Sequence, residues 1–219
     1  MTPKVKVERE VIPYFERAAT ELGIEISADP VERTPFGDDH LVVVAISSAQ
    51  TQFASYPAIR TSSHRNRNVI SPSESSDEFL KNLQVLVNER VRRDELHGVA
   101  TFIFSLEGEL LQVRDQIGIE SIWSLEYAST SVFENAIRAA RALPLGITDL
   151  IDQRWLVMNF DAPRELDMTQ PFLHLFAHEP GYRINKSSSH SGYVALQGDK
   201  ELFEKVSHAV DYLEGVINE

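Results

Sequence analysis

The chain has 219 residues, of which 42% are hydrophobic and 25% charged, so it carries enough apolar material for one large or two small domains. This composition excludes a protein that is disordered throughout. The formal net charge of -12 argues against general binding to duplex nucleic acid or to an anionic membrane. The absence of cysteine excludes disulfides, Cys-ligated zinc and thiol nucleophiles.

The start of the chain is charged and lacks the apolar core of a signal peptide. The longest apolar run, residues 41–46, has six residues and is too short to cross a bilayer. We therefore expect a cytoplasmic protein that does not contact membranes.

The first quarter of the chain is predicted to form a helix and then a buried strand. Pro13 is tolerated in the first turn of a helix, and Gly23 is a common residue just beyond a helix end, so the helix should lie between them. Residues 41–46 are rich in β-branched side chains, as in a buried strand.

A polar segment, residues 47–73, is predicted to be a long loop or a loop around one short strand. No Asp or Glu occurs between Asp39 and Glu74, where the overall composition would place about five. A helix should follow, because Ser75 and Glu78 form a capping box ahead of an apolar run.

The middle of the chain is predicted to form a three-stranded meander. Residues 99–104 and 110–113 are largely apolar and flank a turn at Glu107 and Gly108. Apolar and polar side chains then alternate over residues 119–127, which is typical of a half-exposed strand.

The last part of the chain adds two helices and more strands. Ser131 and Glu134 form a second capping box, and the helix that they begin should end before Pro144. Asp199 should cap a final amphipathic helix. Strands are predicted at residues 155–160, 172–178 and 193–196. Together the elements predict an α+β fold with antiparallel sheet and about four main helices.

The two sides of the meander resemble each other. Each has a helix, an apolar strand, a serine-rich segment and a final helix, and Tyr56 and Tyr182 precede the two serine-rich segments at the same spacing. This similarity indicates an internal duplication, and the alternative is convergence between polar loops. The chain is thus divided into residues 1–96, 97–128 and 129–219, or forms a single compact domain.

The acid-free segment is the predicted binding site for an anion. Arginine binds phosphate or carboxylate through a fork of N–H donors, and nearby hydroxyl groups complete such a site. The alternative is a solvated surface loop whose cations balance an acidic protein. The candidate ligand-binding residues in this segment are Arg60, Ser62, Ser63, His64, Arg65 and Arg67.

The second serine-rich segment adds Lys186, Ser188 and His190 as candidate ligand-binding residues. A serine nucleophile there would need a positioned base and an oxyanion hole, and no Gly-x-Ser-x-Gly sequence occurs in the chain. His64 and His190 are therefore candidates only for acid–base catalysis.

No metal site or cofactor is predicted. His174 and His178 fall on a predicted strand, where residues four apart share a face but stand about 13 Å from each other, too far to bind one ion. The chain also lacks a Walker A sequence and a dinucleotide-binding fingerprint.

These features favour a non-catalytic binding or regulatory protein of the chaperone, immunity or adaptor type, which recognises a partner protein or an anionic ligand. The alternative is an enzyme, of the phosphoesterase or transferase type, that acts on a phosphorylated substrate. In that case Arg60, Arg65 and Arg67 would bind the anion, and His64 or His190 would be the general acid or base.

Overall fold

The computed structural model describes residues 4–28, 39–48, 52–152, 154–162, 166–186, 191–198 and 201–218. Over these residues, most strands form one antiparallel sheet with helices on both faces, which confirms the predicted α+β class. Among the described helices, none is long and apolar enough to span a membrane.

The N-terminal residues form a small parallel sheet around one helix. Strand β1 (Lys4–Val7) pairs with β2 (Glu25–Ala28), and α1 (Ile12–Glu21) connects them. Pro13 lies in the first turn of α1, and Gly23 follows the helix with a φ of 61°, so the predicted start and end are confirmed.

The main sheet contains strands from all three predicted segments of the chain. Its described strands are β3 (Asp39–Ser47), β4 (Phe53–Ser55), β5 (Ile59–His64), β6 (Arg67–Pro72), β7 (Gly98–Phe104), β8 (Leu110–Arg114), β9 (Trp155–Asp161), β10 (Arg183–Lys186) and β11 (Ser191–Gln197). The order is β10-β11-β9-β6-β5-β3-β7-β8, with β4 paired to β3. The β6–β9 pair joins the two halves of the chain.

Helices cover both faces of this sheet. The remaining helices are α2 (Asp77–Arg93), α3 (Ser124–Tyr127), α4 (Val132–Ala140), α5 (Thr169–His178) and α6 (Leu202–Asn218). One face, here the α1 face, packs Val42, Val44 and Ile46 against α1, α4 and the small sheet. The alternate residues of the main-sheet strands lie on the opposite face, here the α2 face. Some of them pack against α2 and others against α5 and α6.

The connection from β8 to α3 crosses the α1 face. Its far end is held by aromatic stacking, since the ring of Trp155 lies 5.3 Å from that of Trp123 and 5.0 Å from that of Tyr127. The prediction of a third meander strand here is wrong. Ile119, Ile122, Trp123 and Tyr127 are all buried, and their spacing suits helical turns better than alternation.

Two other sequence predictions are also wrong. The polar segment 47–73 forms β4, β5 and β6 rather than a loop, because Ile59, Thr61 and Ile70 are buried between neighbouring strands. Residues 172–178 belong to the helix α5 rather than to a strand, because Pro171 and Leu175, one turn apart, are both buried, and Leu175 belongs to the same apolar cluster as residues of α6.

Gly192 of β11 is a position where the sheet has no room for a side chain. An added Cβ would lie 2.3 Å from the ring of Phe160 and 2.6 Å from the carbonyl oxygen of Asn185. We expect Gly192→Ala to lower the free energy of unfolding by about 1–3 kcal/mol in urea denaturation. Gly215→Ala is the control, because a Cβ there meets no atom within 4 Å. Equal stability of the two variants would contradict this close packing.

Candidate functional site

The predicted anion-binding segment is a β-hairpin at one end of the main sheet. His64 pairs with Arg67, and the two-residue turn between them, Arg65 and Asn66, has positive φ values of 51° and 66°. Two positive φ values are typical of the type I′ turn, whose twist matches that of the antiparallel strands it connects. The turn therefore lies at one end of the sheet, with Arg65 and Arg67 beside Asp211 of α6.

The arginines of this hairpin are paired with carboxylates of the same chain. The pairs are Arg60–Asp39 (2.6 Å), Arg65–Asp211 (3.3 Å), Arg67–Asp211 (2.6 Å) and Arg67–Glu214 (2.5 Å). Only 11% of the Arg67 side chain is exposed. These carboxylates balance much of the positive charge of the hairpin, so an external anion would compete with them, as it would with Glu126 at Arg183.

The remaining predicted residues lie near the same end of the sheet or outside the described residues. Ser62 and Ser63 lie on β5, and the His64 ring packs edge-on against Phe203 of α6 at 5.0 Å. Lys186 ends β10, and the pairing of β10, β11, β9 and β6 puts it at the same end of the sheet as Arg67. Ser188, His190 and the predicted cap Asp199 lie outside the described residues.

A buried ionic cluster, which the sequence did not predict, lies on the α1 face. Arg114 donates from Nη1 to Glu8 Oε1 at 2.6 Å and from Nη2 to Glu120 Oε1 at 2.7 Å. The backbone N–H of Ile119 donates to the second oxygen of Glu8 at 3.0 Å. The exposed fractions of the Arg114, Glu8 and Glu120 side chains are 14%, 4% and 8%, so these three residues, the Glu8 cluster, are shielded from water.

Burial shifts the pKa values of two side chains in this region. Burial raises the pKa of Glu8 to about 7, with a further rise from the Glu120 carboxylate and opposing effects from Arg114 and the Ile119 amide. Burial also lowers the pKa of His40, and the positive charge of Arg114 acts in the same direction. A carboxyl group that titrates near neutral pH is a frequent sign of a functional region, although structural ion pairs produce it too.

An open pocket lies at the opposite end of the sheet from the arginine hairpin, where β9 and β10 begin and β11 ends. This β10 pocket has a volume of about 600 Å³. The polar side chains that line it belong to Asp152, Arg154, Tyr182, Arg183 and Gln197.

Hydrogen bonds fix the polar groups of the β10 pocket. Arg183 donates from Nη1 to the backbone oxygen of Glu126 at 3.1 Å and to its carboxylate at 3.2 Å, and lies 5.5 Å from the ring centre of Tyr127. Asp152 accepts from Gln197 Nε2 at 2.6 Å and from the backbone N–H of Arg154 at 2.8 Å. The Arg183 side chain remains 47% exposed, so a ligand can reach it.

Comparison with known proteins identifies the fold and no family. No family model matches the chain, and no curated protein matches it. Solved structures do match. N5-carboxyaminoimidazole ribonucleotide synthetase from Thermus thermophilus has a TM-score of 0.62 and 19% identity, over 85% of this chain and 52% of that one.

Two further structures give the same result. The Thermotoga maritima synthetase has a TM-score of 0.62 and 17% identity, over 80% of this chain and 51% of that one. Glycinamide-RNase-transformylase T from Mycobacterium tuberculosis has a TM-score of 0.64 and 14% identity, over 87% and 57% of the two chains. This chain therefore spans little more than half the length of these neighbours, and at such identities the likeness shows the fold.

These neighbours overturn the leading functional prediction. By name they are two synthetases and a transformylase, which are enzymes, whereas the sequence favoured a non-catalytic chaperone, immunity or adaptor protein with a regulatory, protein-binding role. That prediction is wrong. The alternative, an enzyme that acts on a phosphorylated substrate, agrees better with the proteins that share this fold.

Proposed function

We propose that this chain is an enzyme, or part of one, that acts on a phosphorylated substrate and binds it in the β10 pocket. The observation that carries this proposal is the presence of two arginines, Arg154 and Arg183, in the lining of an open polar cavity. Its volume of about 600 Å³ is typical of sites for small molecules. Arginine is the side chain best suited to hold a phosphate through two parallel hydrogen bonds.

The other groups of the pocket favour a sugar phosphate. A carboxylate accepts hydrogen bonds from hydroxyl groups but repels a phosphate, so Asp152 suits the sugar and the arginines suit the phosphate. Among the neighbours, a ribonucleotide synthetase has been solved in complex with ADP and a ribonucleotide synthase in complex with ATP. Their names support a substrate that contains a ribose phosphate.

The Glu8 cluster has a positioning role in this proposal. Arg114 binds Glu120, which lies in the connection from β8 to α3, and α3 itself carries Glu126, the partner of Arg183. In the described part of the chain, no three His, Cys, Asp or Glu side chains are grouped to hold a metal ion.

Substitution of the pocket arginines tests this assignment. We expect ribose 5-phosphate to bind the wild-type chain, and Arg154→Gln or Arg183→Gln to weaken that binding at least tenfold, because each removes a charge-assisted hydrogen bond. Isothermal titration calorimetry measures the affinity, and thermal unfolding shows that each variant is folded. ATP and ADP are titrated in parallel.

Arg93→Gln provides the control, because this arginine is exposed at the end of α2, outside the β10 pocket. It should bind ribose 5-phosphate as the wild type does. If the double variant of Arg154 and Arg183 keeps wild-type affinity, the β10 pocket is not the site. If the wild type binds none of ribose 5-phosphate, ATP and ADP, the proposed function itself is wrong.

A further inference from the structure

Helix α5 brings together two imidazoles that the strand prediction kept apart. His174 and His178 lie one helical turn from each other, and their ring centroids are 4.6 Å apart. Both side chains are exposed. We propose that this pair is a two-histidine binding site for a divalent metal ion of borderline softness, such as Zn²⁺, Ni²⁺ or Cu²⁺.

The separation of the rings suits the binding of one ion by both. A metal bound to an imidazole nitrogen lies about 2.0–2.1 Å from that atom, hence roughly 3.2 Å from the ring centroid. If the two metal–nitrogen bonds make an angle between a right angle and the tetrahedral angle, the ring centroids are then roughly 4.5–5.2 Å apart. The observed 4.6 Å falls within this range, so the two rings are close enough for both to bind one ion.

The surroundings hold the pair in place. The His174 ring packs against Tyr212 of α6 at 4.9 Å, and the buried Leu175 anchors the same turn of α5. Glu179, which follows the helix, is already paired with Lys205 at 2.7 Å. The two imidazoles are thus the protein ligands, and water fills the remaining coordination positions.

The chemistry of the donors sets the preference among ions. Imidazole suits Zn²⁺, Ni²⁺ and Cu²⁺, whereas Mg²⁺ requires oxygen ligands. The general order of stability for nitrogen ligands places Cu²⁺ above Ni²⁺ and Zn²⁺. The net charge of -12 raises the local concentration of any cation, but without a preference among divalent ions.

Calorimetric titration of the full chain with CuCl₂, NiCl₂, ZnCl₂ and MgCl₂ tests this site. We expect one Cu²⁺ ion per chain to bind more tightly than Ni²⁺ or Zn²⁺, and no comparable binding of Mg²⁺. His174→Gln and His178→Gln should each weaken Cu²⁺ and Ni²⁺ binding at least tenfold, because either change breaks the chelate. His97→Gln, at an exposed histidine in the turn before β7, is the control and should leave the affinity unchanged.

Two results would overturn the proposal. Wild-type affinity for Ni²⁺ in the His174→Gln, His178→Gln double variant would place the ion elsewhere. Loss of binding in only one of the two single variants would show that one imidazole acts alone and that no chelate forms.

Discussion

Replacing Arg114 with methionine should lower the free energy of unfolding by about 3–5 kcal/mol, the cost of breaking a buried ion pair on one side. Arg114 is the shared partner of Glu8 and Glu120, with one Nη group directed to each. Methionine fills much of the same volume but leaves two buried carboxylates close together. Urea denaturation of the wild type and the variant at pH 8, above the pKa of about 7 for Glu8, measures the difference.

A matched control separates the effect of burial from the effect of removing an arginine. Arg60 also pairs with a carboxylate, Asp39 at 2.6 Å, but the two side chains are 37% and 34% exposed. Solvent screens such a pair, so Arg60→Met should cost less than about 1 kcal/mol. If the two variants lose similar amounts of unfolding free energy, burial does not make the ion pairs of Arg114 more important than the pair of Arg60.

Neutralising the carboxylates should restore stability to the Arg114→Met variant. In the triple variant with Glu8→Gln and Glu120→Gln, no uncompensated charge remains, and the side-chain oxygen at position 8 can still accept the hydrogen bond from the Ile119 amide. We expect this variant to regain at least half of the lost free energy. If the triple variant is no more stable than Arg114→Met, the loss comes from packing and not from charge.

Local sequence signals predicted much of the fold. Pro13 and Gly23 correctly bounded α1, and the Ser131 side chain accepts a hydrogen bond from the Glu134 amide at 3.1 Å, as its capping box predicted. At α2 the capping serine is Ser76 and not Ser75, one residue away. These signals act within one turn of the chain, so tertiary contacts do not alter them.

The elements that the sequence mispredicted depend on distant contacts. Strands β5 and β6 look polar because alternate residues face outward, and their burial comes from β3 on one side and β9 on the other. The turn between them uses Arg65 and Asn66, without the glycine that usually marks such turns. For α5, the four-residue spacing of the buried Pro171 and Leu175 was a helical signal that the alternation of hydrophobic residues obscured.

Pairing between distant charges also balances the arginines of the acid-free segment, whose role in binding an anion stays a prediction. The acid-free segment is a real feature of composition, but Arg67 meets its carboxylates 144 and 147 residues away, at Asp211 and Glu214 on α6. Nothing in the spacing of residues predicts this pairing. The arginines of the β10 pocket are isolated in the sequence and become a pair only because β9 and β10 begin at the same end of the sheet.

The proposed duplication remains a prediction. Both predicted halves supply strands to one sheet, and α2 and α6, the last helices of the two halves, pack on the same face of it. This arrangement is the one expected of two related halves that share a sheet. It is also the arrangement that any sheet with one helix over each end would adopt.

The stability of the protein should fall as the pH rises from about 5 to 8, through the titration of Glu8. Its pKa in the folded protein is about 7, against an ordinary value of 4.5, so between these values the folded state holds a proton that the unfolded state has lost. The stabilising contribution is therefore complete below pH 4.5 and is lost as the pH rises through 7. Between pH 5 and 8 the loss amounts to about 2–3 kcal/mol.

Glu8→Gln should remove this part of the pH dependence, because glutamine carries no proton that titrates in this range. The difference in unfolding free energy between the variant and the wild type, from urea denaturation at several pH values, should shift by about 2–3 kcal/mol in favour of the variant between pH 5 and 8. Glu134→Gln is the control, since that carboxylate is 51% exposed beside Arg138. A difference that stays constant with pH for Glu8→Gln would mean that Glu8 is ionised throughout, with Arg114 compensating its burial in full.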